Sequence, residues 1–328
     1  MRVGVIGAGA WGTALAILAS RAGHEVALWA RDAALATDLG AARRNKAYLP
    51  DAEVPSSVEV TADRKALQQA DLYLIATPAQ ALAEVMEGFG NRLSEAPGVV
   101  CAKGIERGTN RFMTEVLSKA CPALKPFVLS GPSFAGDVAR GLPTAVTLAG
   151  DTLEETRPIA EALSVPTFRI YASDDATGVQ VGGAVKNVLA IACGIANGKM
   201  LGDSARAALT TRAFAELTRI GRVLGARVET LVGLSGLGDL ILTCASPQSR
   251  NFSFGVALGK GRTPEQAEKD VRGVVEGVHT ASVVATMAST HHIDMPVCLA
   301  VNRVVSGESS AESEIAGLLA RPLRAETE

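Results

Sequence analysis

Residues 3 to 12 read Val-Gly-Val-Ile-Gly-Ala-Gly-Ala-Trp-Gly, an apolar run that ends in a G-x-G-x-x-G over Gly7, Gly9 and Gly12. A strand signal before the glycines and helical spacing after them supply the context that separates a dinucleotide loop from an ordinary glycine turn. Gly7 permits the tight turn, Gly9 lets the backbone approach a pyrophosphate, and Gly12 lets helix and strand pack closely. The N–H groups that open the helix then hold the anion, aided by the helix dipole. A glycine-rich turn without a ligand is the competing reading, and the placement at residue 7 counts against it.

Working outward, residues 1 to about 172 repeat an apolar run, a turn and a helix-spaced segment. Strands are expected at Val3 to Ile6, Glu25 to Trp29, Val58 to Val60, Leu72 to Ala76, Val99 to Ala102, Phe127 to Leu129, Ala145 to Leu148 and Phe168 to Tyr171. Such alternation predicts a doubly wound, mostly parallel α/β sheet of Rossmann type. After Asp174 the strand signal fades, and 175–197, 204–224, 251–260, 264–270, 277–289, 296–305 and 311–320 read as helices. Thr263, Pro264 and Gln266 make a capping-box start with proline at the first helical position. The expected organisation is a nucleotide-binding domain over 1–173 and an all-α domain over 174–328. Gly233 to Gly238, a second glycine cluster, follows no strand and is expected to be a loop.

A chain of 328 residues suits two domains of the usual size. Lys plus Arg (32) nearly balances Asp plus Glu (34), so no global field recruits nucleic acid or an anionic membrane. Any anion site must be local. Cys101, Cys121, Cys193, Cys244 and Cys298 are widely spaced without a CxxC pair, which fits reduced cytosolic thiols and argues against zinc or a disulfide framework. His291 and His292 are adjacent and point apart, so they suit a polar loop better than a metal. The glycines at 4, 7, 9 and 12 break the apolar start, which is expected to be a mature cytoplasmic N-terminus. No uninterrupted apolar run reaches the roughly 18 to 20 residues that span a bilayer.

Two charged residues carry open questions. Where an acidic residue closes the second strand in NAD-specific sheets, this chain has Arg31 followed by Asp32. Arg31 either pairs with the 2′-phosphate of NADPH or is a solvated turn residue. Lys186, in Gly182-Gly183-Ala184-Val185-Lys186-Asn187, lies among small and apolar neighbours. It is either a snorkelling structural lysine or one whose pKa is lowered for proton transfer.

Seven segments together shift the balance: GAGAWGTALA near the start, CAKGIE at 101–106, GPSFA at 131–135, GAVKN at 183–187, GLGDLILTC at 236–244, SRN at 249–251 and GVVEG at 273–277. In this order and over nearly the whole chain, they resemble bacterial NAD(P)-dependent glycerol-3-phosphate dehydrogenase. The resemblance implies a Rossmann-type domain joined to a helical domain of the 6-phosphogluconate-dehydrogenase kind. It implies reversible NAD(P)H-dependent reduction of dihydroxyacetone phosphate, feeding glycerophospholipid synthesis, without a metal, and it extends to a homodimer. Lys186 would be the proton donor to the carbonyl. Lys103, Gly131 and Ser133 would line the substrate on the first-domain side, with Asp239 touching its polar groups or orienting Lys186. Ser249, Arg250 and Asn251 would hold the phosphate. Ala10, Trp11, Lys103, Ala135, Arg250, Val274 and Glu276 would join the cofactor shell with Gly7, Gly9, Gly12 and Arg31. Ala10 departs from the serine of many relatives, a change that backbone contacts tolerate.

Taken singly, these residues have plainer readings. Asp239 could answer a helix dipole, SRN could be a solvated turn and Lys103 a loop charge, although Lys103 sits on the ligand side of the sheet. Thr243 and Cys244 are expected to pack rather than react. Two other functions compete: a β-hydroxyacid or ketopantoate dehydrogenase, which shares the interdomain lysine, and a silent NAD(P)-binding regulator. SRN and GLGDL count against the first, and an intact Lys186 with its phosphate-binding set counts against the second.

Overall fold

The computed structural model describes residues 1–271, 273–323 and 325. Ten strands are described: β1 (Arg2–Ile6), β2 (Glu25–Trp29), β3 (Arg44–Asn45), β4 (Leu49–Glu53), β5 (Val58–Thr61), β6 (Leu72–Ile75), β7 (Ala96–Val100), β8 (Leu124–Ser130), β9 (Thr144–Ala149) and β10 (Phe168–Ser173). Eight form one sheet in the order β10-β9-β8-β7-β6-β1-β2-β5, and they are the eight runs expected from the sequence. Neighbours are parallel except β8 and β9, which pair antiparallel. The remaining pair, β3 and β4, is a small antiparallel hairpin that the sequence reading did not anticipate.

Alternation along the strands fills both faces, because successive side chains point to opposite sides. Val3, Val5, Val26, Leu28, Leu72 and Leu74 pack on one face. Ile6, Ala27, Trp29, Tyr73 and Ile75 pack on the other. Helices α1 (Ala10–Arg21), α2 (Ala33–Ala42), α3 (Leu82–Glu87), α4 (Met113–Ala120), α5 (Ala135–Arg140) and α6 (Leu153–Leu163) accompany this sheet.

Two residues separate Ser173 from the helical half, which starts with α7 (Ala176–Gly198), followed by α8 (Asp203–Val223) and α9 (Val228–Leu231). Next come α10 (Asp239–Ala245), α11 (Arg250–Gly259), α12 (Pro264–Asp270), α13 (Glu276–Thr290), α14 (Pro296–Val305) and α15 (Ala311–Leu319). All seven expected helices are present, and the capping box forms as read: Thr263 Oγ1 accepts from Gln266 N–H, and Gln266 Oε1 accepts from Thr263 N–H. The expected loop over Gly233 to Gly238 is instead helical, a π turn at Leu234–Gly238 that joins α9 to α10. Its glycines replace a loop because they allow close packing: a Cβ on Gly236 would sit 2.0 Å from the Leu231 carbonyl oxygen.

α7 is the hub. It is buried continuously from Gly178 to Ala196, with no polar face. By length and composition Ala176–Gly198 and Val228–Ala245 are apolar enough to cross a membrane, but the first is wholly enclosed here as the core helix. α11 crosses α7 with the two backbones nearly touching, since a Cβ on Gly255 would lie 2.2 Å from the Ile191 carbonyl oxygen and 3.0 Å from Gly194 Cα. This crossing sets the start of α11, with Arg250 and Asn251, beside the Lys186 turn of α7. All five cysteines are buried.

Candidate active site

Parallel strands β1, β2, β6, β7 and β8 deliver their C-terminal ends to one edge of the sheet, where ligands of open α/β sheets bind. The glycine loop follows β1. Gly7 adopts φ +109°, and a Cβ on Gly12 would lie 1.8 Å from the Gly7 carbonyl oxygen. Over Gly9 nothing lies within 4 Å of a Cβ position. No side chain caps α1, so its first N–H groups are left for another acceptor. An open approach at Gly9 beside uncapped helix donors fits a dinucleotide pyrophosphate.

Other expected cofactor residues surround this loop. Ala10 and Trp11 open α1, and buried Trp11 Nε1 has no partner among the described residues. Glu276, at the start of α13, accepts the Ala79 N–H at 3.0 Å through Oε1, while its buried Oε2 has no partner among the described residues. Burial raises the Glu276 pKa, against the opposing pull of the Ala79 N–H and Arg250. Ala135 opens α5, and Val274 is half-buried just before α13. Arg31 is exposed at the end of β2. Asp32 beside it caps α2, with Oδ1 accepting from Ala34 and Leu35 N–H at 2.9 and 3.3 Å. Its carboxylate is therefore engaged with the helix.

The polar centre lies where β7, α7 and α10 meet. Lys186 Nζ donates to Asp239 Oδ1 at 2.8 Å and to Thr243 Oγ1 at 2.6 Å. Lys103 Nζ donates to the other Asp239 oxygen at 2.6 Å and to the Gly131 carbonyl at 2.9 Å. One buried carboxylate thus joins two lysines, and Ser133 Oγ donates to the same Gly131 carbonyl at 3.1 Å. Gly131 has φ +148°, with Val146 Cα 2.8 Å from a Cβ position, so only glycine fits.

These contacts set the proton affinities. Burial lowers the Lys186 pKa to about 8, aided by the Lys103 cation and opposed by Asp239. For Asp239 burial acts upward, but the two lysines outweigh it and hold the carboxyl below its usual value. Lys186 is therefore a buried ammonium close to losing its proton near neutrality, a condition suited to acid and base work.

Thr243, expected only to pack, contacts Lys186 directly, because it lies one turn beyond Asp239 on α10 and shares its face. That spacing, Asp239 to Thr243, was the signal available in the sequence. Asn187, next to Lys186, was also passed over. Its Nδ2 donates to the Lys103 carbonyl at 3.1 Å, its Oδ1 accepts from Asn251 Nδ2 at 3.0 Å, and Asn251 Oδ1 accepts the Gly277 N–H at 2.9 Å. This ladder ties β7, α7, α11 and α13 around the centre. Ser249 Oγ caps α11 through the Phe252 N–H at 3.2 Å. Arg250, exposed at the first position of α11, lies against Gly273, where a Cβ would be 2.9 Å from its guanidinium.

The chain is similar to known proteins over nearly its whole length. Residues 2–156 match the family model for the NAD-dependent glycerol-3-phosphate dehydrogenase N-terminus, and 175–316 match that for its C-terminus. A glycerol-3-phosphate dehydrogenase [NAD(P)+] of Parvibaculum lavamentivorans is 52% identical over 327 residues, covering 99% of this chain and 98% of the relative. The enzyme of the same name from Azorhizobium caulinodans is also 52% identical, with the same coverage. The crystal structure of glycerol-3-phosphate dehydrogenase from Coxiella burnetii superposes with a TM-score of 0.93 at 38% identity, over 98% of this chain and 99% of that one. The chain belongs to the NAD-dependent glycerol-3-phosphate dehydrogenase family.

Proposed function

We propose that the cleft between the sheet edge and α7, α10 and α11 is where this chain, with NADH or NADPH, interconverts dihydroxyacetone phosphate and glycerol 3-phosphate. The observation that carries the assignment of roles is the buried Lys186 ammonium, held by Asp239 and Thr243 with its pKa near 8. When bound, the nicotinamide supplies the hydride for the carbonyl carbon. Lys186 donates its proton to the carbonyl oxygen as negative charge develops there, and in oxidation the neutral amine takes the hydroxyl proton. Asp239 and Thr243 aim Nζ, and Lys103 adds positive charge beside the same oxygen. Gly131 and Ser133 line the substrate. Ser249, Arg250 and Asn251 present the start of α11 to the phosphate, with Arg250 supplying the charged fork.

In this reading residues 1–173 form the cofactor domain and 174–328 the helical substrate domain. Gly7, Gly9, Ala10, Trp11, Gly12 and Arg31 line the cofactor on the sheet side, with Lys103, Ala135, Arg250, Val274 and Glu276 completing its shell. A homodimer and a product that feeds glycerophospholipid synthesis are carried by the family resemblance, and a cytoplasmic location by the spaced cysteines and the glycine-broken N-terminus. Replacing Arg250 by Ala tests the phosphate assignment. A charged hydrogen bond is worth roughly 1.5 to 3 kcal/mol, so kcat/KM for dihydroxyacetone phosphate should fall about ten-fold or more. Unphosphorylated dihydroxyacetone should lose far less; equal losses would remove Arg250 from the phosphate and leave it only its place in the cofactor shell or the fold.

A further inference from the structure

The β3–β4 hairpin sends one fully buried polar side chain, Asn45, into the glycine loop. Asn45 Nδ2 donates to the Ala8 carbonyl at 2.9 Å and to Thr13 Oγ1 at 2.8 Å, and Asn45 Oδ1 accepts the Tyr48 N–H at 3.2 Å. The amide group is satisfied on both sides, which fixes its orientation without solvent. Ala8 lies between the first two motif glycines, and Thr13 is the residue after the last. One side chain therefore bridges the two ends of the turn around which Gly9, Ala10 and Trp11 present their N–H groups.

The direction of the first contact matters. No cis peptide occurs among the described residues, so the carbonyl of Ala8 and the N–H of Gly9 point opposite ways. Holding that carbonyl toward buried Asn45 turns the Gly9 N–H outward, on the loop whose Gly9 Cβ position is open for at least 4 Å. Peptide flips are the easiest distortion of a glycine-rich turn, since glycine tolerates either backbone hand. Fixing the peptide before binding removes an ordering cost that the ligand would otherwise meet.

We infer that Asn45 is a positioning residue for the cofactor, locking the Ala8–Gly9 peptide and the first turn of α1 into the conformation that grips the pyrophosphate. The inference rests on the cofactor site proposed above. Its contribution belongs to the diphosphate and not to the adenosine, the nicotinamide or the substrate.

The test is direct binding to the intact chain, by calorimetry, of ADP-ribose, which carries the pyrophosphate without nicotinamide, and of AMP, which lacks it. Asn45→Asp, nearly isosteric, replaces the donor with a carboxylate against the Ala8 carbonyl. It should raise the Kd for ADP-ribose about ten-fold, the scale of one lost hydrogen bond with its partner left unpaired, with AMP changed less than two-fold. Thr13→Val removes one anchor while keeping the Ala8 contact, and should weaken ADP-ribose at least three-fold with AMP again unchanged. It carries the test should thermal melting show that Asn45→Asp does not fold. ADP-ribose affinity within two-fold of wild type in a folded variant, or equal weakening of ADP-ribose and AMP, overturns the assignment. Failure of the wild-type chain to bind ADP-ribose would instead overturn the underlying cofactor site.

Discussion

Lys186 and Asp239 meet at 2.8 Å across 53 residues of chain, and the second Asp239 oxygen is taken by Lys103 at 2.6 Å. The carboxylate therefore separates two cations, one of which is buried with its pKa drawn down to about 8. Asp239 works against that lowering, while burial and Lys103 work for it.

A pH dependence follows with a defined sign. In the proposed mechanism reduction uses the Lys186 ammonium, so kcat/KM for dihydroxyacetone phosphate should fall as pH rises through about 8, while oxidation of glycerol 3-phosphate should rise there. Asp239→Asn removes the interaction that raises the Lys186 pKa and leaves two lysines facing each other. The falling limb for reduction should then move to lower pH, with a lower kcat. A limb that stays in place in the variant would detach Asp239 from proton transfer.

The crossing of α7 and α11 is a second point of test. A Cβ at Gly255 would press on the Ile191 carbonyl and Gly194 Cα, backbone atoms that cannot turn aside. Gly255→Ala should therefore destabilise the fold by about 1 to 3 kcal/mol, despite the better helix propensity of alanine. Urea unfolding measures this directly. Unchanged stability would show that the helices separate at little cost.

In the proposed cofactor site, exposed Arg31 at the end of β2 is the residue placed to meet a 2′-phosphate. Asp32 Oδ1 is engaged as the cap of α2, which ties that carboxylate to the helix start. Arg31→Ala should lower kcat/KM for NADPH about ten-fold and leave NADH nearly unchanged, because only NADPH carries the 2′-phosphate. Asp32→Ala should cost about 1 kcal/mol of stability as a lost cap and leave the cofactor ratio within two-fold. A ratio that moves toward NADPH only in Asp32→Ala would reverse the assignment.

How far the sequence could be read depended on whether a signal was local. The eight sheet strands were legible because each is a short apolar run, as in Leu72–Ile75, where all four residues are buried, or an apolar-polar alternation, as in Val58–Thr61. The β3–β4 hairpin was not, since Leu49-Pro-Asp-Ala-Glu53 has a proline and no clean alternation. Asn45 was lost with it. The glycines at 233 to 238 resembled a loop because glycine disfavours helices in isolation; here they allow close packing, as at Gly236, where a Cβ would be 2.0 Å from the Leu231 carbonyl oxygen. That misreading hid the helix on which Thr243 shares a face with Asp239. Motif residues such as Lys103, Lys186 and Asp239 were visible one by one, but their convergence depends on which strand ends meet which helices, a long-range property.

The central claim, that Lys186 is the proton-transfer group, is tested most directly by kcat of Lys186→Met measured alongside NADH affinity. General acid catalysis contributes roughly 10² to 10⁴-fold, so kcat should fall by about that factor, with the Kd for NADH and the thermal midpoint close to wild type. Retention of more than about a tenth of wild-type kcat in a folded, NADH-binding variant would contradict the account.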